Sequence, residues 1–130
     1  MKDFVSFELA KKLKEKGFLV ECFAFYTTVG ILHCVESEGV YETYLDLMET
    51  NNFGRGHCVD APLICQVLKW LREEKKIHVA IGYSGETEWR YVIVFLGDKY
   101  FENPNIIHKH FNSYESAALA GIEYILDKLI

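Results

Sequence analysis

The chain has 130 residues, half of them apolar and 15% aromatic, with a formal net charge of −5. That length supports one hydrophobic core without disulfide staples, and the composition excludes a disordered tail. No apolar run reaches the ~18 residues of a membrane span, Met1-Lys2-Asp3-Phe4 opens no signal-peptide apolar region, and the acidic balance opposes nucleic-acid binding, which draws its affinity from neutralised phosphates.

The first predicted element is a helix capped by Ser6 and running to Lys16, with Phe7, Ala10 and Leu13, joined by Leu9, as its apolar stripe. Gly17 suits the left-handed residue that stops a helix, and Phe18 is placed to fold back on Leu13. Lys11, Lys12, Lys14 and Lys16 read as a solvated face, with a phosphate-binding patch as the minority reading. Phe18–Tyr26 is expected to be a strand, Thr27-Thr28-Val29-Gly30 a turn, and Ile31–Val35 the return strand.

Glu36 to Val59 is expected to form a short helix or an irregular excursion. Tyr41, Leu45 and Met48 fit helical spacing, and Asn51-Asn52-Phe53-Gly54-Arg55-Gly56 reads as a loop. Long loops in compact domains often carry function, so a site is to be sought there first.

Asp60 is read as the cap of a second helix, with Pro62 in its first turn. Ile64, Leu68 and Leu71, with Val67, Leu63 and Trp70, form a wide buried stripe. Lys69, Arg72, Glu73 and Glu74 take the wet side, and Lys75 and Lys76 the last turn. Ile77–Tyr83 and Glu88–Leu96 then predict an antiparallel hairpin around Ser84-Gly85-Glu86-Thr87, placed near the sheet centre because both faces are largely apolar. Gly97-Asp98-Lys99 is a tight turn. Tyr100 to Phe111 includes a short edge strand, limited in pairing by Pro104. Asn112 or Ser113 caps the last helix, with Asn112-x-x-Glu115 as its capping box. Ala118, Ile122, Ile125 and Leu129 form its stripe, and Gly121 suggests close approach of this helix to another backbone.

The order of elements predicts an α+β layered sandwich, with a four- to five-stranded, mainly antiparallel sheet packed with three amphipathic helices. It is expected as a single domain over residues 1–130, in the cytoplasm.

Phe7-Glu8-Leu9-Ala10-Lys11-Lys12-Leu13-Lys14-Glu15-Lys16-Gly17-Phe18, Ala61-Pro62 with Lys69-Trp70-Leu71-Arg72-Glu73, and Tyr114-Glu115-Ser116-Ala117-Ala118-Leu119-Ala120-Gly121-Ile122 carry a resemblance in order and spacing. They resemble a group of short uncharacterised proteins encoded by phage and other mobile elements of anaerobic gut-type bacteria. The resemblance covers most of the chain apart from Glu36 to Val59, and implies no activity, cofactor or site.

Among residues with chemistry to offer, Cys22, Cys34, Cys58 and Cys65 read as reduced thiols packed as small hydrophobes. His33-Cys34 and His57-Cys58 are two adjacent pairs. Zinc needs about four convergent N or S ligands, and neighbours on a strand point to opposite faces. The best zinc set would therefore take one residue from each pair with Cys22, drawn from Cys22, His33, His57 and Cys58; the expectation is no metal and no cofactor. A thiol nucleophile has ingredients only at His57-Cys58, where Asp60 opposes a thiolate. His108 and His110 share one face of a regular strand and read as a polar edge that deters pairing with other chains. Gly54-Arg55-Gly56 lacks the strand and Lys-Ser/Thr ending of a phosphate loop.

No catalytic set is expected. The leading function is a non-enzymatic interaction or accessory protein of a phage or mobile element, binding a protein partner or itself as a homodimer. A nucleic-acid-binding regulatory domain and a Cys/His-dependent hydrolase or zinc-binding protein are the alternatives.

Overall fold

The computed structural model describes residues 3–20, 22–34, 58–83, 85, 88–97 and 105–130. The expected excursion over Glu36–Val59 lies outside the described residues as far as residue 57. Glu21, the end of the return strand at Val35, Ser84, Glu86 and Thr87 of the hairpin turn, and residues 98–104 with Pro104 lie outside them too.

The described chain is an α+β mixture of three helices and two three-stranded antiparallel sheets. It divides into two compact units, Phe4–Leu63 and Ile64–Ile130 with Met1–Asp3.

The first unit opens with α1, Phe7–Glu15. The Ser6 hydroxyl accepts from the Leu9 N–H at 3.2 Å, satisfying one of the free donors of the first turn. At the other end Gly17 takes φ +84°, and the Phe18 N–H donates to the Leu13 carbonyl at 3.0 Å. This is the left-handed stop that the sequence suggests, and it buries both Phe18 and Leu13. Strands β1 (Ala24–Thr27) and β2 (Leu32–Cys34) form a hairpin closed by the Gly30 N–H to the Thr27 carbonyl at 2.9 Å. The expected strand over Phe18–Tyr26 begins only at Ala24 and runs one residue further, to Thr27. Strand β3, Cys58–Asp60, pairs with the other side of β1, giving the order β2-β1-β3. Tyr26 leans on the Phe7 ring, centroids 5.4 Å apart. Its hydroxyl donates to the Val5 carbonyl, and Val5 in turn donates its N–H to Pro62 at 3.1 Å.

The strand β3 corrects two expectations. Asp60 is not a helix cap: it pairs with Phe25 in the sheet, and the second helix begins four residues later. The first hairpin completes its own three-stranded sheet with β3 rather than joining the second hairpin in one sheet of four to five strands.

The second unit starts with α2, Ile64–Glu74, which buries Ile64, Val67, Leu68, Trp70 and Leu71. The helix stops before Lys75 and Lys76, because Lys76 adopts φ +57° and turns the chain into β4. Strands β4 (Ile77–Tyr83) and β5 (Trp89–Phe95) pair as the expected antiparallel hairpin, with Ile77 opposite Phe95 through to Tyr83 opposite Trp89. Strand β6, Ile106–Phe111, adds to β5, so the order is β4-β5-β6 and β5 alone of the pair is central. The face carrying Ile77, Val79, Tyr91, Ile93 and Phe95 is buried.

The last helix, α3 (Tyr114–Tyr124), lies against β4, β5 and β6. Its cap is Ser113, and the reciprocal partner is Ser116: each backbone N–H reaches the other's hydroxyl at 3.1 Å. Asn112 and Glu115 do not form the box. After Tyr124 the helix widens into a π turn, Ile125–Leu129, in which the Ile130 N–H reaches the Ile125 carbonyl at 3.0 Å. The wider turn rotates the stripe, so Ile125 and Leu126 are buried and Leu129 is only half-buried. Among the described residues no helix is long and apolar enough to cross a membrane.

Candidate functional site

The residues with chemistry to offer are placed by the β2-β1-β3 sheet. His33 pairs with Phe25 and Cys58 with Thr27, so both lie on the same side of β1 but on opposite flanking strands. Two strand spacings and a two-residue offset separate their Cα atoms by roughly 12 Å. Zinc–ligand bonds of ~2.0–2.3 Å do not close that gap. Cys22 is buried, and its thiol donates to the Val20 carbonyl at 3.1 Å. His57 lies outside the described residues. Among the described residues no group of three or more His, Cys, Asp or Glu side chains is placed to hold a metal ion.

His33 is exposed and lies flat on the Phe25 ring, centroids 5.3 Å apart and planes 14° from parallel. Burial pushes the Cys58 thiol pKa up. Lys14 pulls the other way and Asp60 adds to the rise. A thiol held protonated is a poor nucleophile, the reverse of the tuning that cysteine catalysis needs.

His108 and His110 do not share a face. Tyr91 pairs with His108 and Trp89 with Phe111, so Lys109 and His110 together oppose Arg90. This β-bulge puts His110 at φ +75°. His108 stacks on Tyr91 at 4.9 Å and meets the Tyr124 ring edge at 5.0 Å. His110 Nδ1 instead meets Glu88 Oε1 at 2.9 Å. A bulge built on a histidine leaves no mark in the sequence, where glycine would have signalled it.

The lysines of α1 do not form a free cationic strip. Lys11 pairs with Glu8 at 3.0 Å and stands 4.5 Å from the Phe7 ring centroid. None of Lys12, Lys14 and Lys16 is without a partner.

Two further features carry no sequence signal. The buried Nε of Arg90 and the buried Nδ1 of His78 have no hydrogen-bond partner among the described residues. Burial lowers the His78 pKa and the nearby Arg72 lowers it further, so the ring is held neutral. In comparison with known proteins, no family model, no curated protein and no solved structure matches the chain.

Proposed function

We propose that the chain is a cytoplasmic interaction or accessory protein of a phage or mobile element, acting by binding a protein partner or a second copy of itself. One observation carries this reading. In the first unit Leu19, Val29, Phe23 and Ile31 are 92%, 76%, 62% and 57% exposed. Single exposed apolar residues are ordinary, but four within thirteen positions form a concentration that a partner would cover at about 25 cal/mol per Å². The mobile-element origin draws on the resemblance of the first helix, the second helix and the last helix. The layered sandwich belongs to the same proposal, since helices on one side of a sheet leave the other side for a partner.

Sedimentation velocity over a wide concentration range tests it, on the parent chain and on Val29→Glu with Ile31→Glu. Concentration-dependent dimer that the double variant abolishes supports self-association through these residues. A strict monomer removes the homodimer and leaves a heterologous protein as the partner to be sought.

A further inference from the structure

Helix α3 covers one face of the β4-β5-β6 sheet, with Gly121 against Val79 and Tyr91, and α2 packs on α3 and β4. Register and strand alternation lay out the opposite face in rows about 7 Å apart. Gly82 sits beside Arg90, and the next row runs Ala80, Val92, Ile107. The third row pairs His78 with Val94. Lys109 lies two residues beyond Ile107, across from Arg90 at the bulge. The face is therefore cationic at one end, apolar in the middle and neutral at His78. Ile107 in the middle row is 52% exposed.

Arg90 is the residue that asks for an acceptor. Its side chain lies over Gly82, where a Cβ would stand 3.2 Å from Nε. That Nε is shielded from solvent and donates to no acceptor among the described residues. An incoming carboxylate cannot reach that shielded atom, but it fits the outer Nη edge of the guanidinium in two parallel bonds. Glu88 lies two residues earlier on the same side, but His110 already engages its Oε1. The net charge of −5 disfavours a phosphate polymer. The apolar row beside the cations suits a protein segment carrying both kinds of side chain.

We propose that this face docks an acidic segment of a partner protein, with an Asp or Glu side chain on Arg90 and Lys109 and branched apolar side chains over Ala80, Val92 and Ile107. The docking deepens the interaction role proposed above and rests on it.

A displayed library of random dodecapeptides, panned on the full chain, is the test. Enrichment of peptides with Asp or Glu flanked by Val, Ile or Leu is the expected result. Synthetic copies should bind the parent and lose roughly ten- to a hundredfold in affinity on R90Q. Changing their acids to amides should cost as much, and I107E should weaken them too. An amide NMR spectrum checks the fold of each variant. Should R90Q not fold, Gly82→Ala keeps the charge but displaces the guanidinium, and the same peptides must weaken severalfold. Enriched peptides without acids, or peptides that bind the Arg90 and Gly82 variants as well as the parent, overturn the docking face and leave the interaction role standing. No enrichment on the parent overturns the docking face and counts against the role as well.

Discussion

Gly121 of α3 lies directly against Tyr91 of β5: a Cβ at Gly121 would stand 3.2 Å from the Tyr91 ring and 2.9 Å from Val79 Cγ1. The glycine lets the helix settle onto the sheet. Tyr91 and Val79 are themselves buried, at 2% and 3% exposure, so neither has room to retreat. Gly121→Ala gains up to about 1 kcal/mol of helix propensity but must push the helix off the sheet, at a cost of about 1–3 kcal/mol. The net expectation is destabilisation by about 1–2 kcal/mol in urea unfolding followed by circular dichroism. A stabilised Ala variant would show that the helix and strand are not held this closely.

Lys76 offers the opposite experiment. It holds φ +57°, a conformation that costs a side-chain-bearing residue about 1–2 kcal/mol. Glycine avoids that cost and gives back part of it as unfolded-chain entropy. The one hydrogen bond described there is from the Leu96 N–H to the Lys76 carbonyl at 2.9 Å, a backbone bond that any residue supplies. Lys76→Gly should therefore stabilise the chain by about 0.5–1 kcal/mol, read from the urea midpoint with an unchanged slope.

Tyr26→Phe tests the tie between the N-terminal segment and β1. The hydroxyl donates to the Val5 carbonyl, and Val5 is fully buried. Removing the donor orphans a buried acceptor, which costs about 1–3 kcal/mol, while the ring's packing on Phe7 is kept. Unfolding should report that loss. A change below about 0.3 kcal/mol would mean the carbonyl has found water or another donor.

The pH dependence of stability has a direction set by His78. Its folded pKa is lowered from 6.5 by burial first and by Arg72 second. The unfolded chain therefore binds a proton at this position more readily than the folded one. The contribution is present in full above the unfolded pKa and is lost as pH falls toward the folded value. Urea midpoints should drop between neutral pH and about pH 5, and His78→Gln should flatten that drop. An equal drop in the variant would assign the acid limb to other groups. At the alkaline end Cys58 and Tyr91, both raised first by burial, act in the other sense, and stability falls once the unfolded thiol and phenol ionise.

Local signals in the sequence were sufficient where the structure is local. Ser6 and Gly17 bound α1, the alternation from Ile77 to Phe95 gives the antiparallel hairpin, and Gly121 announces a close approach, although it is made to the Val79 and Tyr91 side chains and not to a backbone. Three features arise from longer-range competition. Cys58–Asp60 is too short to show an alternating pattern and becomes a strand only because β1 has a free side. Lys76 and His110 accept left-handed backbone because the elements on either side fix it. The π turn at Ile125–Leu129 inserts into a sequence that reads as continuous helix. Of the chemical residues, the β1–β2 register sets His33 opposite Phe25 and the Cys34 backbone opposite Ala24. The isolation of Arg90 over Gly82 depends on cross-strand register and the bulge, so no single stretch of sequence contains it.

The kink at Lys109 and His110 also bears on what the molecule does in a crowded cell. Among the described residues β6 is a border of its sheet, and residues 107–110 are exposed. A border that twists out of plane and ends in histidines and a lysine cannot be extended cheaply by a stray strand. Cross-β polymerisation through that margin is thereby disfavoured.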